Sequence, residues 1–165
     1  MIPDAQLDHV AIAVHDIAAA APLFVDALGG RFLFAADNGD QGFRFAQFGL
    51  PQGGKIELVA PLSPEGFVAR FLERRGEGVH HITLKTADIA GALGELKRRG
   101  IPVMMVSVER EEWKEAFIHP RDAHGVLVQV AQSVWGDEEM ATHHLSDHTG
   151  AGHKHLAFEE LGFGR

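Results

Sequence analysis

The stretch LDHVAIAVHDI (7–17) returns 72 positions later as VHHITLKTADI (79–89), and that recurrence decides the fold. The same shift, without a gap, lays Phe45 onto Phe117 and KIELV (55–59) onto LVQVA (127–131). Asp16-Ile17-Ala18 is repeated identically as Asp88-Ile89-Ala90. Few other residues are identical, yet a constant offset held across strand, helix and strand points to one unit written twice.

Working outward, each copy reads as strand, helix, then three strands. Residues 7–14 alternate as a strand; Asp16 is placed to cap an Ala-rich helix running to about Leu28, where Gly29-Gly30 stops it. Strands are expected near 31–36, 43–49 and 54–60, separated by Asn38-Gly39-Asp40 and Pro51-Gln52-Gly53-Gly54. A connecting helix over Pro64–Arg75 presents Phe67, Val68, Phe71 and Leu72 at helical spacing. The second copy repeats with a strand at 79–86, a helix from Asp88 to Arg99, and strands near 101–106, 115–119 and 125–131. The expected fold is α+β: two βαβββ modules, about 7–62 and 79–132, in one domain over 1–132. Residues 133–165 form a His- and Gly-rich C-terminal tail with five of the eleven His, read as a mobile tail or an arm on a partner, with metal loading as the alternative.

Composition narrows the function. The 165 residues are 45% hydrophobic and 23% charged, enough for one packed core. Fifteen Lys+Arg against 23 Asp+Glu give a net charge of −8 with no dense basic run, so nucleic acid is not an expected partner. Zero Cys removes disulfides, thiolate nucleophiles and Cys-type zinc sites. The apolar runs are too short to span a membrane and the start lacks signal-peptide character, so a cytoplasmic location is expected, without a membrane partner.

Side chains alternate across a strand, so parity assigns faces. Even positions are apolar in four strands (Val10, Ile12, Val14; Ile56, Leu58, Ala60; Ile82, Leu84; Val126, Val128, Val130) and should pack on the helices. The odd face then carries His9, Glu57, His81 and Gln129, one per strand and related in pairs by the shift, with small neighbours at Ala11, Ala13 and Thr83. Two imidazoles, a carboxylate and an amide oxygen form a borderline donor set for a divalent cation, with Co, Mn, Ni, Zn and Mg not distinguished. His80 has the wrong parity, and His15 and His119 fall near strand ends, so none of the three joins the set.

On these residues the chain resembles the vicinal oxygen chelate (glyoxalase/bleomycin resistance/dioxygenase) superfamily, and within it the methylmalonyl-CoA epimerases. The resemblance rests on LDHVAIAVHDI (7–17), DQG (40–42), KIELVAPLSP (55–64), FLERRGEGVHHITLKTADI (71–89) and HPRDAHGVLVQVAQ (119–132). It implies a U-shaped half-barrel around a metal held by His9, Glu57, His81 and Gln129, in a homodimer. It also implies an acyl-CoA thioester as small-molecule substrate, whose α-proton is abstracted while the metal stabilises the enolate. The loop carboxylate that moves this proton in the family corresponds to Asp40. The family's second carboxylate falls where this chain has Gln129, so Glu57 is the candidate for the second proton transfer. Arg70, Arg74 and Arg75, or Lys97, Arg98 and Arg99, are the clusters that could face a CoA phosphate; both also complement helix C-termini. The alternatives are a glyoxalase I-like lyase and a non-catalytic small-molecule-binding protein of the same fold; a ring-cleaving dioxygenase would want Glu rather than Gln at 129.

Overall fold

The structure is a computed structural model that describes residues 1–2, 4–136 and 153–162. Its elements follow the doubled plan. They are β1 (Gln6–Ala13), α1 (Ile17–Pro22), β2 (Arg31–Asn38), β3 (Phe43–Gly49), β4 (Lys55–Pro61), α2 (Phe67–Arg75), β5 (Gly78–Lys85), α3 (Ile89–Arg98), β6 (Met104–Ser107), β7 (Trp113–Ile118) and β8 (Leu127–Ser133). A short ninth strand, β9 (His153–Leu156), follows. The fold is α+β, with each copy of the repeat forming βαβββ. No helix among the described residues is long and apolar enough to cross a membrane.

Both repeat helices begin as their sequences require. Asp16 Oδ1 accepts from the Ala18 and Ala19 amides at 2.7 and 3.3 Å, and Asp88 Oδ1 accepts from Gly91 at 2.9 Å. The first helix does not run as one α-helix to Leu28. It changes at Pro22 into a wider turn over Leu23–Ala27, because proline has no amide hydrogen to continue the ladder. The chain then closes tightly at Gly30, where a Cβ would stand 2.6 Å from the Phe24 carbonyl oxygen. Strand β6 starts three residues later than expected, after Pro102, and contains Met105 with φ 51°.

The chain forms two compact units. The first comprises Met1–Val10 and His80–Gly136, with strand order β6-β7-β8-β5 and then the first residues of β1. In it β5 and β8 run parallel, placing Thr83 opposite Gln129, and β7 lies antiparallel to β8. Its core packs Val130 and Ile118 against Ala92, Leu93 and Leu96 of α3. The even face of β8 thus meets the helix, as parity requires.

The second unit comprises Ala11–Val79 with the described part of Asp137–Arg165. Its order is the end of β1, then β4-β3-β2-β9. The even face, with Ile12, Val14, Ile56, Leu58 and Ala60, packs on Ile17 and Ala21 of α1. A register shift between Phe32 and Phe34 turns β2 over, so Phe34 rather than Leu33 stands opposite Gln47, which in turn stands opposite Glu57. Beyond that row the odd face is not open. Ala13, Val59, Phe43 and Phe45 are covered by Phe67, Val68, Phe71 and Leu72 of α2, whose apolar stripe must be buried.

Strand β9 pairs antiparallel with β2, from Ala35↔Leu156 to Asn38↔His153, and Leu156 and Leu161 enter the α1 core. Pairing there supplies hydrogen-bond partners to the edge of β2. Of the five tail histidines behind the metal-loading alternative, His143, His144 and His148 lie outside the described residues.

Candidate metal centre

In the first unit, β1, β5, β7 and β8 place a chain of polar side chains side by side. His9 is 2% exposed. Its Nδ1 lies 2.7 Å from Asp8 Oδ2, a carboxylate oxygen that can only accept, so Nδ1 carries a proton and Nε2 faces the buried side. Asp8 is held in turn by Lys85 Nζ at 3.1 Å. His9 Nε2 lies 2.9 Å from the hydroxyl of Thr83, which is fully buried. The same hydroxyl donates to Gln129 Oε1. The hydroxyl of Thr83 thus brings an imidazole nitrogen and an amide oxygen to one buried point.

His81 stands beside this point, its ring centroid 5.6 Å from that of His9 at an interplanar angle of 73°. Burial, followed by the neighbouring His9 and His80, holds its pKa well below the usual imidazole value, so the ring is neutral at physiological pH. His80 Nδ1 lies 2.9 Å from His81 Nδ1, and burial pushes the His80 pKa down to about 4. Neutral imidazoles and an amide oxygen are the species a borderline divalent cation binds, so the donors fit that group.

The other end of Gln129 is also fixed. Its Nε2 donates to Glu115 Oε2 at 2.5 Å, and Trp113 Nε1 donates to the same oxygen at 2.8 Å. Glu115, Trp113 and Asp8 were not among the residues singled out from sequence. Parity could have found the first two, since Trp113 and Glu115 share the odd register of Phe117, which pairs with Gln129.

In the second unit Glu57 is 7% exposed, and its Oε2 accepts from Gln47 Nε2 at 2.7 Å across the β3–β4 pair. Asp40 belongs to this unit and sits exposed on the Gly39–Gly42 turn, where Asn38 Oδ1 accepts from the Gln41 amide at 2.9 Å. Thus His9, His81 and Gln129 are gathered in one unit, while Glu57 is buried and Asp40 exposed in the other.

Of the candidate phosphate-binding cations, Arg98 and Arg99 both pair with Glu95. Arg70 donates to the Glu65 carbonyl, Arg74 donates to the Arg70 carbonyl, and Arg75 lies over the Phe71 ring. Lys97 instead lines an apolar-walled hollow of about 510 Å³ with Leu93, Ile101, Pro102 and Val103.

Comparison with known proteins places this geometry. The chain is 36% identical over 131 residues to an ethylmalonyl-CoA/methylmalonyl-CoA epimerase of Cereibacter sphaeroides, covering 77% of this chain and 97% of that protein. Its fold superposes on a methylmalonyl-CoA epimerase from Mycobacterium tuberculosis with a TM-score of 0.71 at 32% identity, covering 78% and 88% of the two chains. A Streptomyces coelicolor methylmalonyl-CoA epimerase variant in complex with 2-nitronate-propionyl-CoA matches with a TM-score of 0.69 at 29% identity, covering 79% and 98%. Residues 8–117 match the sequence profile of the glyoxalase/bleomycin resistance protein/dioxygenase superfamily, and the chain belongs to that superfamily.

Proposed function

We propose that the protein is a metal-dependent epimerase that removes and returns the proton α to an acyl-CoA thioester, as a methylmalonyl-CoA epimerase does. His9, His81 and Gln129 would hold a divalent cation together with Glu57, which supplies the anionic ligand. When bound, the cation supplies Lewis-acid stabilisation of the negative charge that develops on the thioester oxygen. Inversion needs a proton-transfer group on each face of the planar carbon. In this reading Asp40, on an exposed turn, takes the proton on one face and later gives it up to solvent, and Glu57, once loosened from the cation and protonated from solvent, returns one on the other. The proposal carries with it a homodimer, a cytoplasmic location and an acyl-CoA thioester as substrate.

The observation that supports it is the convergence of His9 Nε2 and Gln129 Oε1 on one buried hydroxyl beside the neutral ring of His81. The test is exchange of the α-proton of methylmalonyl-CoA in deuterated water, followed by NMR with and without chelator. Exchange that stops with chelation and returns with Co²⁺ supports the reading. Substrate binding without exchange would sink it and favour a sequestering protein.

A further inference from the structure

Among the described residues each unit contains a carboxylate–amide pair bridging neighbouring strands, and these two pairs are inverse. On β4 the carboxylate of Glu57 occupies the repeat position and the amide of Gln47 reaches it from β3 at 2.7 Å. On β8 the amide of Gln129 occupies the repeat position and the carboxylate of Glu115 meets it from β7 at 2.5 Å.

An amide at a ligand position has a problem that a carboxylate lacks. Its two ends are nearly isosteric, and only the oxygen can ligate a cation; a flip would present two N–H donors instead. In this chain the flip is blocked at the Glu115 end. Glu115 has only acceptor atoms to offer, so it must face the –NH₂ of Gln129. Trp113 has only an N–H to offer, and its bond to the same Glu115 oxygen holds that carboxylate in place. The Thr83 hydroxyl donates to Oε1 at the opposite end. Gln129 is 6% exposed, so solvent offers no substitute for these partners.

We propose that Glu115 is the positioning residue for Gln129: its carboxylate locks the amide with Nε2 outward and Oε1 toward His9, which makes Gln129 competent to ligate the cation. This rests on the metal-site reading above and assigns to Glu115 a role that acts through Gln129. An anionic acceptor on Nε2 also polarises the amide, placing more negative charge on Oε1. Two carboxylates, Glu57 and Glu115, thereby serve the set, one as a ligand and one behind a ligand.

The test is Co²⁺ affinity by calorimetry, with the visible spectrum of the bound ion as a second readout. Glu115→Ala is expected to weaken Co²⁺ binding roughly 10–100-fold and alter the spectrum. Glu115→Gln, whose oxygen is selected by the Trp113 N–H and can still accept from Gln129, is expected to restore most of the affinity. In a Gln129→Ala background Glu115→Ala is expected to add no further loss. Where Glu115→Ala does not fold, Glu115→Met preserves bulk and takes its place. Unchanged affinity in Glu115→Ala, or losses that add in the double variant, would overturn the proposal. Wild-type chain that takes up no Co²⁺ overturns it together with the metal site. Co²⁺ uptake with the expected coupling but no α-proton exchange supports it while refuting the acyl-CoA reading alone.

Discussion

Gln47 Nε2 donates to Glu57 Oε2 at 2.7 Å, and both side chains are nearly closed to solvent. The bond exists because β3 and β4 pair Gln47 directly with Glu57, on the face away from α1. A buried carboxylate that loses a donor bears its desolvation cost with less compensation.

Gln47→Leu is therefore expected to destabilise the cation-free protein by about 1–3 kcal/mol. Urea unfolding in the presence of chelator measures it. A change too small to detect would mean that Glu57 draws little from this bond.

Thr83→Val keeps the shape of a fully buried side chain and removes only the hydroxyl between His9 and Gln129. A loss of about 1–3 kcal/mol is expected without metal. With saturating Co²⁺ the deficit should shrink, since the cation takes over as partner of His9 Nε2 and Gln129 Oε1. Equal deficits with and without Co²⁺ would argue that the ion does not bind at these atoms.

His80 provides the pH prediction. Its pKa falls from 6.5 to about 4 on folding because it is buried. Between those values the unfolded chain binds the proton and the folded one does not, so lowering the pH favours unfolding. Stability should be fully present above pH 6.5 and fall by about 2 kcal/mol on reaching pH 4.5 from this group alone. Urea unfolding across that range should show a shallower fall in His80→Asn than in the wild type, and parallel curves would refute the assignment.

Asp40 is exposed on a turn, so Asp40→Ala should leave stability within about 0.5 kcal/mol of wild type. As the proton-moving group it should, when removed, slow α-proton exchange by about 10²–10⁴-fold. Co²⁺ affinity should not change. Retained exchange in this variant would transfer the role to another group.

Much of the fold was legible in the chain because the repeat fixed where strands and helices recur and parity fixed which face meets a helix. Val14, Leu58 and Val130 face helices as the alternation requires. Three features were not legible for separate reasons. Pro22 sits inside an apolar, Ala-rich run, so periodicity carried the helix past it to Leu28. The register shift in β2 inserts a residue that alternation cannot reveal, and it turns Phe34 toward the face of Gln47. Pairing of β9 with β2 depends on an open strand edge, which is a property of the assembled sheet.

The sequence by itself determined the doubled βαβββ plan and singled out His9, Glu57, His81 and Gln129, because period-two alternation and a constant offset are local properties of the chain. Only the tertiary structure decided how those groups are held. Asp8 on His9, Thr83 between His9 and Gln129, Gln47 on Glu57 and Glu115 behind Gln129 are contacts largely between different strands. Their partners depend on strand order and register, which hydrogen bonding across the sheet sets and no single strand contains.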